Sequence, residues 1–284
     1  MKILYVSKGD HVDYQDDCLF IGLKELFGAN VVDINKRHHC YNTYDPIEAS
    51  KLYGMGMTVT RVLPDLDVDR SDIASKVKNK FFDLVVYGSI WRCDADISKV
   101  IEYYPKNKVA VVDGEDEINI HHTFGLGVPY FKRELGYSHE RLIPISFAFP
   151  TSKINLPGNK QREIAICDPR DRSTYIYKNE TDYYNGYNES KYAFTMKKAG
   201  WDCLRHYEIL GNGCIPIFLD INKCPNLIMT NFPKTLSTEI LNCYKNKKLP
   251  GYDDYASKFH NHFLSNMTTK AIATKFIDFF KTNE

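Results

Sequence analysis

The feature that most constrains this chain is a series of short, uninterrupted apolar runs that alternate with helical segments, pause at a polar stretch and then begin again. Ile3, Leu4, Tyr5 and Val6 follow one another with no polar residue between them. A strand wetted on one face alternates apolar and polar side chains, whereas one buried on both faces does not. Strands of the second kind belong to parallel sheets covered by helices. Segments 2–7, 30–34, 82–87, 108–112 and 142–147 read this way, and 16–27, 71–79 and 97–104 between them read as helices. In the first of these, Leu19, Phe20, Leu23, Leu26 and Phe27 share a face and Gly28 is the stop. Residues 151–161 (TSKINLPGNKQ) are polar and hold Pro157-Gly158, the best linker candidate. Beyond it, strands are expected at 163–167, 192–195 and 214–219, helices at 201–210, 236–244 and 255–280, and a loop at 181–188. The expectation is an α/β fold in two halves, 1–150 and 151–284, with parallel sheets facing across a cleft and the last helix placed to pack back on the first half. Ligands of open parallel sheets bind beyond the carboxyl ends of the strands, so the residues that follow each strand are the candidates.

Composition narrows the function. The 284 residues are 43% hydrophobic and 26% charged, a globular balance. Lys and Arg number 37 against 36 Asp and Glu, a formal charge of +1, which supplies no general field for nucleic acid. The opening MKILYVSKGD is cut by Lys8 and Asp10 and reads as a first strand, not a signal peptide. No stretch reaches the roughly 18 apolar residues of a membrane span. The eight cysteines are scattered without a CxxC pair, which argues against a disulfide framework, and the adjacent His38, His39 and Cys40 lack a second ligand pair and read as loop residues. A cytoplasmic protein without a metal site is expected.

The most informative segment is 197–218. Gly200 precedes a helix in which Asp202 suits the positive N-terminal end, and Arg205 and Glu208 lie three apart on one face. Gly211 and Gly213 then lead into the strand Cys214-Ile215-Pro216-Ile217-Phe218. A helix start in a cleft is a prepared anion site, a guanidinium adds paired contacts to phosphate oxygens, and a carboxylate accepts from ribose hydroxyls. The alternative for Arg205 and Glu208 is an intrahelical ion pair on a solvated face. The run from Glu208 to Ile217 resembles the donor-binding motif of GT-B glycosyltransferases, particularly the exostosin-like and spore-maturation-type families. That resemblance is close over residues 190–220 and implies two Rossmann-like domains, the second holding a nucleotide-sugar. It implies that Arg205 meets the diphosphate and Glu208 the ribose, with Gly200, Asp202, Ser190 and Lys191 on the donor side. Many retaining members carry a second Glu eight residues before the one matched by Glu208; here that position is Gly200, so an inverting transfer is expected.

An inverting transfer needs a base beside the acceptor hydroxyl. Asp10, His11, Asp16 and Asp17 follow the first strand, and the acidic run Asp113-Gly114-Glu115-Asp116-Glu117 follows the fourth. Asp16, Asp113, Glu115 and Asp116 are the leading candidates, with His121-His122 behind them. Asp16 and Asp17 also suit a helix N-terminus, and the 113–117 run also suits a solvated turn. Lys132 and Arg133 either neutralise the leaving diphosphate or form an exposed helix turn. Tyr183, Tyr184, Tyr187 and Tyr192 either stack on a base or sugar or serve as packing. The reading is a metal-independent glycosyltransferase acting on a glycan or other hydroxyl acceptor, hexosyl- or pentosyl-transferring, with no cofactor. The alternatives are a two-domain nucleotide- or sugar-binding protein without turnover, a DNA-modifying glycosyltransferase, and a metal-dependent enzyme using Asp65-Leu-Asp67, Asp67-Val-Asp69 or Asp94-Ala-Asp96. The lone Gly54-Met55-Gly56 reads as a plain loop.

Overall fold

The apolar runs form strands in two separate, all-parallel sheets. This is a computed structural model, and it describes residues 1–282. The first half runs β1 (Ile3–Val6), α1 (Tyr14–Phe27), β2 (Val31–Ile34), α2 (Pro46–Lys51), α3 (Ile73–Lys78), β3 (Leu84–Tyr87), α4 (Ile97–Tyr103), β4 (Val109–Asp113), β5 (Tyr130–Lys132) and β6 (Leu142–Pro144). Its six strands are ordered β2-β1-β3-β4-β5-β6. Ile3 sits opposite Val31 on one side and Leu84 on the other, so β1 is central and its apolar side chains meet buried layers on both faces. The second half runs β7 (Arg162–Ile164), α5 (Glu180–Asn188), β8 (Ser190–Thr195), α6 (Leu204–Gly211), β9 (Ile215–Phe218), α7 (Lys234–Lys245), α8 (Tyr252–Asn266) and α9 (Thr269–Thr282), with a three-stranded sheet β7-β8-β9.

One buried apolar cluster takes in residues of both sheets, from Ile3 and Val86 to Ile215 and Ile217, with α1 and α9 inside it. A second cluster lies on the far face of the first sheet and a small third one around Cys167, Ala193 and Ile209. Helix α9 packs along α1 and sets Phe276 and Phe280 against Phe131 of β5. Gly22 permits that crossing: a Cβ there would fall 2.1 Å from the Thr269 carbonyl oxygen.

Three elements differ from the sequence expectation. Residues 181–188, expected as a loop, belong to α5. Asn, Gly and Tyr carry little helical propensity, but Asn179 caps the helix by accepting from the Asp182 N–H, and Tyr183 and Tyr187, one turn apart, lie 5.0 Å between ring centroids. The expected helix over 255–280 is two helices. Phe149 bonds at the break, its N–H to the Met267 carbonyl and its carbonyl to the Thr269 N–H, which draws the end of the first half into the C-terminal region. The helix expected from Trp201 starts at Leu204, because Asp202 is held elsewhere. Among the described residues no helix is long and apolar enough to cross a membrane.

Candidate active site

A cavity of about 860 Å³ opens between segments that follow strands of both sheets. From the first half come His11, Asp13 and Tyr14 after β1, Arg92 after β3, Gly114, Glu115 and Asp116 after β4, Arg133 after β5, and Tyr53, Gly54 and Met55 from the loop after α2. From the second half come Tyr175, Tyr177 and Lys178 after β7, the turn Lys198–Leu204 after β8, and Arg205 and Glu208 of α6. Segments after strands thus supply most of the wall, as expected for open parallel sheets, and α5, α6 and the loop after α2 supply the rest.

Arg133 joins the two halves at the floor. Its guanidinium donates to the Gly114 carbonyl (2.9 Å), the Asp202 carbonyl (2.6 Å), Glu134 (3.1 Å) and Asp116, and lies over the Phe147 ring. Glu134 accepts from the Asp202 N–H (2.9 Å), and the Asp202 carboxylate accepts from the Phe147 N–H (2.7 Å) and the Tyr207 hydroxyl (2.8 Å). Gly200 makes room for this knot, since a Cβ there would lie 2.6 Å from Glu134 Oε1 and 2.9 Å from Arg133 Nη1. Arg133 is fully buried at a cavity wall, and the exposed helix turn weighed for it and Lys132 does not form.

Asp113, Glu115 and Asp116 of the acidic run after β4 each meet a cation, so they do not face one another as bare charges, and Glu117 accepts from Asn119 (3.0 Å). Asp113 is fully buried against Lys132 (2.8 Å) and accepts from Tyr130. Glu115 pairs with Arg92 (2.6 Å) and Asp116 with Arg133. Asp13, which the sequence reading passed over, caps α1, accepts from the Ser89 hydroxyl (2.8 Å) and lies 3.2 Å from Arg92. Partial burial, with Arg92 and Lys8 nearby, lowers the pKa of His11, which keeps its imidazole neutral at pH 7.

On the other wall, no side chain caps the first turn of α6, and Cys203, Leu204 and Arg205 of that turn line the cavity. The expected alternative of an Arg205–Glu208 pair is not formed by contact. Glu208 instead accepts from the Thr58 hydroxyl (2.5 Å) and the Tyr183 hydroxyl (2.7 Å), and burial raises its pKa against the pull of those two bonds. Arg205 lies over the Tyr175 ring at 5.3 Å, and its Nη1 is buried without a hydrogen-bond partner.

Asp16, Asp113, Lys132, Ser190 and Lys191 lie outside the lining. Asp16 and Asp17 are fully buried on Arg37, and Asp16 also accepts from the Tyr5 hydroxyl (2.8 Å). Ser190 bonds the Gly186 carbonyl, and Lys191 pairs with Glu163 across β7 and β8. His39 and Cys40, expected in an open loop, are buried on Asp17. Among the described residues two clusters have metal-ligand character, Asp17–His39–Cys40 and Asp94–His121–His122. In the first, Asp17 is already paired with Arg37, and neither cluster nor any of the Asp-x-Asp matches lines the cavity.

No protein-family model matches the sequence, and no curated protein matches it. The structure superposes on a glycosyltransferase from Rickettsia africae ESF-5 with a TM-score of 0.55 at 10% identity, covering 99% of this chain and 98% of that one. It also superposes on an alpha-glucosyltransferase in complex with UDP, with a TM-score of 0.51 at 10% identity over 99% of this chain and 100% of that one. A second structure of an alpha-glucosyltransferase, with UDP and a DNA holding an A:G mismatch, gives 0.51 at 9% identity over 98% of both chains. The fold is shared with glycosyltransferases. Within a glycosyltransferase fold, the cavity described above lies at the carboxyl ends of both sheets, with α6 presenting its uncapped end and Arg205 to it.

Proposed function

We propose that the protein is a glycosyltransferase that moves a sugar from a nucleotide-sugar to a hydroxyl acceptor, with two Rossmann-like domains divided near residue 150 and the donor held by the second. The observation that carries this is Arg205, whose buried Nη1 has no partner while it stands at the uncapped start of α6. A desolvated guanidinium without an acceptor is costly, and an anion placed there satisfies both the side chain and the helix end. Lys178 and Lys198 line the same wall, giving three cations for a diphosphate, and Glu208 offers its carboxylate to ribose hydroxyls. With these cations in place, the leaving diphosphate is stabilised by protein groups and the transfer is metal-independent.

The first-half wall holds the acceptor. Its charges are three carboxylates, Asp13, Glu115 and Asp116, against two guanidiniums, Arg92 and Arg133, so the wall is slightly acidic. An uncharged hydroxyl acceptor such as a glycan suits this wall better than a polyanion. The second reading is a nucleic-acid acceptor, favoured by the likeness to an alpha-glucosyltransferase solved with DNA. Glu115 and Asp116 are tied to Arg92 and Arg133, so neutral His11 is the group best placed to take the acceptor proton. In an inverting transfer the acceptor oxygen forms a bond to the anomeric carbon as the bond to the diphosphate breaks, and the hydroxyl proton passes to the His11 ring.

The test is nucleotide release from a panel of nucleotide-sugars in EDTA, with glycan and DNA acceptors in separate arms. His11→Ala is expected to lower kcat by about 100-fold or more while leaving nucleotide affinity unchanged. A His11→Ala enzyme with wild-type kcat removes His11 from the chemistry. Turnover only with DNA moves the second reading to first place.

A further inference from the structure

Residues 52–62 reach from the first half to the donor carboxylate of the second. Thr58 is fully buried and has a φ of 69°. A β-branched residue rarely adopts that left-handed conformation, which persists only when its surroundings hold it. Its hydroxyl donates to Glu208 Oε1 at 2.5 Å, and the Tyr184 hydroxyl donates to Thr58 Oγ1 at 2.8 Å. The Thr58 N–H donates to Glu180, itself paired with Lys153. The segment is fixed at both ends. Gly56 packs against the Ala49 carbonyl of α2, and the Arg61 and Val62 N–H groups donate to the His39 and Cys40 carbonyls. Met55 and Arg61 also have left-handed φ values, 59° and 57°, so the backbone on both sides of Thr58 is bent to bring its hydroxyl to Glu208.

A threonine hydroxyl and a ribose hydroxyl are the same kind of donor to a carboxylate. Glu208 Oε2 accepts from Tyr183 and Oε1 from Thr58, so the Thr58 hydroxyl occupies one of the acceptor positions that a ribose hydroxyl would take. We propose that residues 52–62 are a strap that fills the nucleoside subsite with the Thr58 hydroxyl and gives it up to a ribose hydroxyl when the donor binds. The proposal rests on the reading of Glu208 as the ribose carboxylate. The strap also carries Tyr53, Gly54 and Met55 of the cavity wall, so its release reshapes the acceptor side. Donor binding then precedes acceptor binding, because only the donor removes the hydroxyl that holds the strap down.

The test is calorimetric titration with UDP, the nucleotide bound by the similar alpha-glucosyltransferase, against wild type, Thr58→Val, Thr58→Ser and Glu208→Gln. Thr58→Val keeps the branch and loses the hydroxyl; it weakens the strap and is expected to bind UDP about tenfold more tightly. Thr58→Ser keeps the hydroxyl and eases the backbone, so it is expected to bind no more tightly than wild type. If Thr58 merely supports Glu208, the order reverses: Thr58→Val weakens UDP and Thr58→Ser does not, and the strap is overturned. Should Glu208→Gln bind UDP as wild type does, the ribose reading itself falls. Should Glu208→Gln lose affinity while Thr58→Val fails to gain it, the strap alone falls. Amide exchange in the wild-type protein gives an independent check. Saturating UDP is expected to speed exchange across residues 55–60, and unchanged or slower exchange contradicts release of the strap.

Discussion

Asp202 ties together more of the molecule than its place in the sequence suggests. It reads as a residue suited to the first turn of a helix, yet its carboxylate caps no N–H of α6 and instead holds the Phe147 N–H and the Tyr207 hydroxyl. Burial pushes that carboxyl up from 3.8 to about 6, against the pull of Arg133 and of the two hydrogen bonds. The folded protein therefore takes a proton at Asp202 more readily than the unfolded chain does. The stability this confers is full below about pH 4 and is lost as pH rises through about 6. Relative to Asp202→Asn, which does not titrate, wild type is expected to lose on the order of 3 kcal/mol between those limits. Urea denaturation of both proteins across that range measures it, and a difference that does not change with pH removes Asp202 as the titrating group. Gly200, Arg205 and Glu208, singled out by the motif around them, all line the cavity. His11 was named only among several candidates, and Asp13 and Arg92 were passed over, although the rule that sites follow strand ends points to all three. For Lys132 and Arg133 the sequence leaves a cleft-facing role and an exposed turn both open, because a charged pair gives no sign there of the carboxylates that receive it; Arg133 lines the cavity and Lys132 does not.

At the scale of elements, strands were easier to read than helices. A run such as Leu84-Val85-Val86-Tyr87 has a single physical solution, burial on both faces. Helix α5 has none of the spacing that marks a helix and owes its form to a cap and to tyrosines packed on the rest of the molecule. The strap, too, is invisible in the sequence: its contact with Glu208 spans 150 residues, and no local pattern announces it. The crossing of α1 and α9 is equally non-local. Its close approach at Gly22 leaves no space for a methyl group, and backbone rather than a flexible side chain stands in the way. Gly22→Ala is expected to destabilise the fold by about 1–3 kcal/mol through overpacking, even though alanine is the better helix former. Denaturant unfolding of the variant checks this, and a gain in stability would show that α9 shifts freely on α1.

At the scale of the whole molecule, both parallel sheets and the restart of strands beyond residue 161 were legible, because non-alternating apolar runs report burial directly. The relation between the sheets was not, since the Arg133 knot, the Phe149 bonds into the break before α9 and the apolar cluster shared by both halves depend on contacts far apart in sequence. On the proposed function, the cavity between the sheets receives a nucleoside diphosphate on Arg205. Calorimetric titration of wild type and Arg205→Ala with UDP, GDP, CDP and dTDP in EDTA tests it most directly. The prediction is one-to-one binding of at least one diphosphate to wild type, with affinity reduced about 100-fold or more in Arg205→Ala while the two proteins share the same unfolding midpoint without ligand. Equal affinity in the two proteins, or no binding of any of the four to wild type, would contradict it.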